Sequence, residues 1–421
     1  MSQTLDEAVK QYAQAFHSAE DLSPILEAIG EAKIVLLGEA SHGTSEFYTV
    51  RAELTKRLIQ EKGFSLIAVE GDWPSAQHVN RYIRGSGPPS HSHDVLQAFK
   101  RWPTWMWANE EIAAFVEWLK ADNEQRELKT GFYGIDVYSL WESMEEVVQY
   151  LTHTNPIGGD LELAKKAFSC FEPFNRNPEN YAVSSATFST VCVDEVSKLL
   201  ASIRSNPEPA KGEVESELSL EVNALVARNA EDYYRAMVQS GELSWNIRDQ
   251  HMVEAINTIR DYHGPDAKIV VWEHNTHIGD ARATDMRRDG MLNVGQLLRE
   301  QNEPDEVFAL GFGTYEGTVI AADSWGIPHD VIKVPPARLH SWEEILHRTG
   351  AYDKFLIFID ENREIFERWV GHRAIGVVYN PEFEAHGNYV PSQISKRYDA
   401  FIFIDQTKAL SPISIENPLT E

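Results

Sequence analysis

Several things this chain has little of are informative. It carries two cysteines, Cys170 and Cys192, in 421 residues. Neither stands in a CxxC pattern, so neither a zinc ribbon nor a disulfide framework is expected, and both read as plain thiols in a reducing cytosol. No apolar run reaches membrane-spanning length, and residues 1–22 form an acidic amphipathic helix candidate without the apolar core of a secretory leader. Lys and Arg number 38 against 65 Asp and Glu, a formal charge of −27. Such a surface repels phosphate backbones and anionic lipid heads, which argues against nucleic acid or a membrane as partner. There is no GxSxG elbow, so a serine hydrolase of the α/β-hydrolase type is disfavoured. Gly311 and Gly313 come without a Walker lysine or a GxGxxG run and do not make a phosphate loop. The expectation is a cytoplasmic protein that acts on a small molecule and needs no cofactor.

What is present is core-forming. Hydrophobic residues make up 43% and aromatics 10%, enough for a large interior. Short apolar runs end repeatedly in ionisable groups. Lys33–Leu37 is followed by Gly38-Glu39-Ala40-Ser41-His42-Gly43-Thr44, then by a helical pattern at Phe47, Val50, Leu54 and Leu58 that carries Arg51. Ser65–Val69 runs into Glu70-Gly71-Asp72-Trp73-Pro74, Gly131–Ile135 into Asp136, and Lys268–Trp272 into Glu273-His274-Asn275-Thr276-His277. Strand, polar loop and helix is how open α/β sheets present chemistry, at the carboxyl ends of their strands. Further strands are expected at Glu306–Leu310, with an edge segment Thr318–Ala322, and at Lys354–Ile359, Ile375–Tyr379 and Ala400–Ile404. A helix is expected over Leu5–Phe16, and Asp21 or Ser23 should cap the helix that has Pro24 in its first turn.

The fold class read from this is α/β: a mostly parallel central sheet flanked by helices, with a large helical insertion covering the cleft. Residues 1–140 and 264–421 would form the two parts of the core and 141–263 the insertion. The insertion holds Arg248 and Asp249, which either reach the site or form a helix-surface ion pair. The cluster Trp102, Trp105, Trp107 either lines a pocket for a bulky apolar ligand or plugs the core beneath a loop. Ser86–His93 reads as a solvent loop and Leu410–Glu421 as a tail without regular structure.

The strand ends bring Glu39, His42, Glu70, Asp72, Asp136, Glu273, His274 and His277 to one rim. Three chemistries fit. A histidine paired with a glutamate can act as general base on a water. Alternatively His42, Glu70, His274 and His277 bind a divalent metal that activates the water. The same cleft can also bind a small molecule without turning it over.

Five blocks carry a resemblance: Gly38–Gly43, Glu70–Pro74, Trp105–Trp107, Trp272–His277 and Gly376–Pro381, in this order. Together they resemble the erythromycin esterase family, some of whose members carry the label succinoglycan biosynthesis protein. The resemblance implies an α/β fold with a helical insertion, and hydrolysis of an ester or lactone by a histidine-activated water without a required metal. It implies a possible role in macrolide antibiotic resistance. It also implies His42 as base, Glu39 and Glu70 as its carboxylate partners, and Arg51 and His277 as supporting catalytic groups. Trp73, Asp72, Trp107, Asp136, His274 and Arg248 are then the candidate substrate contacts.

Overall fold

The computed structural model describes residues 3–87, 90–155, 157–188, 191–205, 215–416 and 419. Residues 88–89 of the expected solvent loop, and 417–418 and 420–421 of the expected tail, lie outside these. The chain divides into two compact units. One is Met1–Ile67, His91–Thr130 and Lys268–Glu421; the other is Ala68–Ser90 and Gly131–Ala267.

The strands are β1 (Gln14–Ala15), β2 (Ile34–Leu37), β3 (Leu66–Asp72), β4 (Gly131–Asp136), β5 (Ile269–Trp272), β6 (Val307–Ala321), β7 (Asp330–Val334), β8 (Lys354–Ile357), β9 (Trp369–Arg373), β10 (Tyr389–Gln393) and β11 (Ala400–Thr407). In the first unit the sheet order is β1-β8-β11-β6-β2-β5, with β7 on β6. β11, β6, β2 and β5 are mutually parallel; β8, β1 and β7 join antiparallel. This is the α/β class, a mostly parallel sheet flanked by helices. β2 (Ile-Val-Leu-Leu) and β5 (Ile-Val-Val-Trp) are buried at every position, as strands covered on both faces require. Their register sets up the site: Leu37 lies opposite Trp272 on one side and Leu310 on the other. The chain therefore leaves β2 and β5 at the same level, delivering the Glu39–His42 and His274–His277 loops side by side.

Helix Ser45–Lys62 turns its buried face inward with Phe47, Tyr48, Arg51, Leu54, Leu58 and Ile59. In the second unit, β3 from Ala68 onward lies beside β4. The chain from Leu140 to His263 runs through helices Leu140–Thr154, Gly159–Phe171, Pro178–Phe188, Val193–Ser205, Ser216–Met237 and Gly241–His263. Among the described residues no helix is long and apolar enough to cross a membrane.

The structure corrects several expectations. Cys170 and Cys192 are not free thiols: they are joined in a disulfide, with Cα atoms 5.9 Å apart. The end of helix Gly159–Phe171 and the residue before helix Val193–Ser205 meet in space, which the spacing of 22 could not reveal. The first helix stops at Tyr12, and Gln14–Ala15 pairs with β8. Leu22, not Asp21 or Ser23, holds the cap position of helix Ser23–Ile29; the Asp21 carboxylate instead accepts bonds from the amides of His17 and Ser18. Glu306–Leu310 and Thr318–Ala322 are not two segments but parts of one long strand, β6. Its glycines make room for rings: a Cβ at Gly311 would strike Tyr398, and one at Gly313 would crowd Phe401. Ile375–Tyr379 is not a strand. Its backbone makes single connections instead, from the Ile375 amide to the Ala40 carbonyl and from the Tyr379 amide to the Ala322 carbonyl. The adjacent ladder is β9 with β10.

Candidate functional site

In the first unit the loop after β2 holds a chain of charged and polar groups. His42 Nδ1 lies 2.8 Å from Glu39 Oε1, and Arg51 Nη2 lies 2.5 Å from Glu39 Oε2. Glu39 and Arg51 are almost fully buried, and His42 is 8% exposed. The guanidinium of Arg51 is further fixed by the Phe47 carbonyl, which accepts from Nε at 3.2 Å, and by the rings of Tyr48 and Trp272, whose centroids lie 4.6 and 4.7 Å from Cζ. Arg51 sits on helix Ser45–Lys62, whose start is set by the end of the same loop. Twelve residues on from Glu39, the helix thus places a cation against the carboxylate that holds the histidine. With Nδ1–H on Glu39, the neutral His42 ring carries its accepting lone pair on Nε2. The loop's shape is enforced from outside. Tyr48 Oη donates to the His42 carbonyl at 2.9 Å, and the amides of Ile320 and Leu410 donate to the Gly43 carbonyl, each at 3.0 Å. A Cβ at Gly43 would run into the backbone of Ile320.

The loop after β5 lies against it. The His274 ring centroid is 4.9 Å from that of His42, with 42° between the planes. His274 caps the short helix Asn275–Ile278: its Nδ1 accepts from the Thr276 amide at 3.3 Å. Thr276 Oγ1 also lies 2.8 Å from Nδ1, and in the tautomer in which Nδ1 accepts, the neutral ring carries its proton on Nε2. The Asn275 amide donates to the Glu39 carbonyl at 2.9 Å, tying the two loops together. Glu273 and His277 are both buried on either side of this segment.

The second unit holds its own charged cluster. Arg248, on helix Gly241–His263, donates from Nε to Asp136 Oδ1 at 2.9 Å and from Nη2 to Asp136 Oδ2 at 2.6 Å and Glu70 Oε1 at 2.7 Å. The forked contact with Asp136 is the strong geometry for a guanidinium and a carboxylate. The Tyr138 ring lies 5.0 Å from Arg248 Cζ. Desolvation opposes the charge on Arg248, but the two carboxylates outweigh it and hold its pKa well above the ordinary value. The surface ion pair considered for Arg248 and Asp249 is thus not what forms: Arg248 is drawn inward by Asp136 and Glu70, and Asp249 is wholly buried.

Of the tryptophan cluster, two members are packed into the interior, while Trp102 is half-buried against the exposed Trp325. Trp105 and Trp107 are buried, and Trp107 sets its edge against Tyr48 with centroids 6.1 Å apart. Trp73 stacks on Tyr133 at 5.8 Å and donates to Ser219 Oγ at 3.2 Å. Asp72 holds the cap position of helix Trp73–Ile83. His42, His274 and His277 share the first unit but do not make a metal site: among the described residues no group of three or more His, Cys, Asp or Glu is placed to hold an ion. Sequence reasoning overlooked Tyr48 and Asn275, which shape the two loops. Tyr48 had one available signal, its position one helical turn before Arg51.

These features belong with a known set of proteins. The erythromycin esterase family model matches residues 59–407, and the chain belongs to that family. It is 21% identical to a putative hydrolase, YbfO, of Bacillus subtilis (strain 168), over 95% of this chain and 90% of that one. It is 22% identical to erythromycin esterase type II of Escherichia coli, over 92% of this chain and 93% of that one. The fold is shared with a succinoglycan biosynthesis protein of known structure, with a TM-score of 0.76, 20% identity and 97% of each chain covered. It is also shared with a mutant of the erythromycin esterase EreC in its open conformation, with a TM-score of 0.65, 16% identity, and 95% of this chain and 97% of that one covered.

Proposed function

We propose that this protein is a hydrolase of an ester or lactone bond in which His42 activates a water. The observation that carries the reading is the Glu39 carboxylate, held on one side by Arg51 at 2.5 Å and holding His42 Nδ1 on the other at 2.8 Å. Family membership supports hydrolase chemistry of the esterase type. A carboxylate on Nδ1 fixes the tautomer and orientation of the ring and stabilises the imidazolium that forms, which is the role of the acid in hydrolytic triads. Nε2 takes the proton of a water whose oxygen attacks the acyl carbon. The carbon–oxygen bond to the leaving alcohol breaks, and the imidazolium returns the proton to that oxygen. Arg51 is committed to Glu39, so it fixes the base's partner rather than contacting the acyl oxygen. His274, with its donor on Nε2 and its ring against that of His42, is suited to stabilise the oxyanion.

The substrate we propose is a small-molecule ester or lactone that is bulky and largely apolar. Macrolides are the first class to test, with macrolide resistance the corresponding role. The test is turnover of a panel of esters and lactones, macrolides included, by wild type and His42→Ala, each with and without a chelator. Turnover by wild type that the chelator leaves intact and the variant lacks supports the reading. Tight binding without turnover would favour a sequestering protein instead.

A further inference from the structure

A second histidine–glutamate pair lies in the same unit, and the reaction above does not use it. Glu343, on helix Trp342–Arg348, and His372, on β9, are both fully buried. Glu343 Oε1 lies 2.6 Å from His372 Nδ1 and accepts from the Arg373 amide at 2.9 Å. On the far side of the ring, Asn275 Nδ2 lies 3.1 Å from His372 Nε2. Burial pushes the His372 pKa below the ordinary histidine value, against the pull of Glu343. Burial works to raise the Glu343 pKa, but His372 and then Arg373 outweigh it and hold it below the usual carboxylate range. A neutral ring beside an ionised carboxylate has one arrangement here: Nδ1–H donates to Glu343 and Nε2 accepts from Asn275.

Asn275 is where this chain meets the candidate site. Its other Nδ2 proton goes to the Phe312 carbonyl at 2.7 Å, and its Oδ1 accepts from the Phe312 amide at 3.2 Å. Its carbonyl accepts from Arg397 Nη2 at 2.9 Å, and its amide donates to the Glu39 carbonyl. The room its side chain needs is provided at Gly38, where a Cβ would overlap Asn275 Oδ1. Every polar group of Asn275 is thus engaged, and the residues it touches or adjoins include Gly38, Glu39 and His274 of the candidate site. A buried ion-supported ring, one side chain away from the base's loop, is more than a core needs for packing.

We infer that Glu343 and His372 are positioning residues for the Glu39–His42 and His274 loops, acting through Asn275. The Glu343–His372 pair sets the orientation of the Asn275 amide, and Asn275 fixes the separation of the two loops and with it the close, tilted placement of the two histidine rings. This rests on the hydrolase reading for its effect on rate, but not for its effect on the rings.

The experiment compares His372→Gln, which keeps a donor toward Glu343 and an acceptor toward Asn275, with His372→Phe, which keeps a ring but neither. Two signals are read on full-length protein: the side-chain 15N resonances of His42 and His274, assigned with His42→Ala and His274→Ala, and kcat and KM on whichever ester the wild type turns over. The expected result is that His372→Phe moves both ring signals and lowers kcat by about tenfold to a hundredfold, the scale of a slightly misplaced group, with KM little changed. His372→Gln should restore both. Should His372→Phe fail to fold, Asn275→Asp, which keeps the shape but removes both donated bonds, is read the same way and is expected to move the same signals. Unmoved ring signals in His372→Phe or Asn275→Asp, or equal impairment by the Gln and Phe variants, would overturn the inference. If the wild type turns over no ester, the hydrolase reading fails, while the ring signals still decide the positioning role.

Discussion

Acid should weaken the second unit through one identifiable group. His251, on helix Gly241–His263, is 1% exposed, and Asn229 Nδ2 lies 3.1 Å from its Nδ1. Burial lowers its pKa from 6.5 to about 4, opposed in part by the carboxylates of Asp136 and Glu254. The sign follows from the two states. Between pH 6.5 and 4 the unfolded chain binds a proton at His251 that the folded chain refuses, so stability rises with pH across that window. Acidification begins to remove stability near pH 6.5, and the loss from this residue is complete near pH 4. A gap of about two and a half pH units corresponds to about 3 kcal/mol. His251→Gln cannot titrate and keeps an acceptor for Asn229. Urea unfolding of wild type and variant at intervals from pH 7.5 to 4 should therefore show the wild type losing about 3 kcal/mol relative to the variant on acidification. Carboxylates that titrate in the same range do so in both proteins and cancel. Parallel curves over the whole range would show that the buried ring is not resisting protonation and would refute the reasoning.

Other outcomes follow from the same geometry. Arg51→Met leaves the buried Glu39 carboxylate without its cation and should cost about 3–5 kcal/mol in urea unfolding, with part of the loss regained in the double variant Arg51→Met/Glu39→Gln. Full stability of the single variant would show that the pair is not a desolvated one. Gly38→Ala places a methyl group against Asn275 Oδ1 and should cost about 1–3 kcal/mol, with an unchanged melting temperature as the contrary result. Reduction of Cys170–Cys192, which closes a loop of 22 residues, should lower stability by about 3 kcal/mol. Thiol titration before and after reductant would check it, and two reactive thiols in the untreated, folded protein would contradict it.

Much of the site was legible in the sequence because it sits where the chain announces itself. β2 and β5 are unbroken aliphatic runs, and the polar residues that follow them, Glu39, His42 and His274, fall where a buried strand must end. What was not legible depended on partners remote in sequence. Gly311 and Gly313 follow the expected strand Glu306–Leu310, yet they lie within β6 and are small because the rings of Tyr398 and Phe401 need the space. Ile375–Tyr379 has strand composition, but composition does not say whether a neighbouring ladder is free to pair. Arg248 carried no local sign that carboxylates 112 and 178 residues away would draw it inward. His372 lies inside β9 rather than at its end, so no strand-end signature marked it, and its link to Asn275 spans 97 residues.

The measurement that bears most directly on the central claim is hydrolysis of the ester and lactone panel by wild type and by His42→Ala, with circular dichroism to confirm that both are folded. The account predicts turnover of at least one compound by wild type and a loss of about a hundredfold to ten-thousandfold in kcat for the variant, the range over which a general base acts. Turnover undiminished in a folded His42→Ala protein would contradict it.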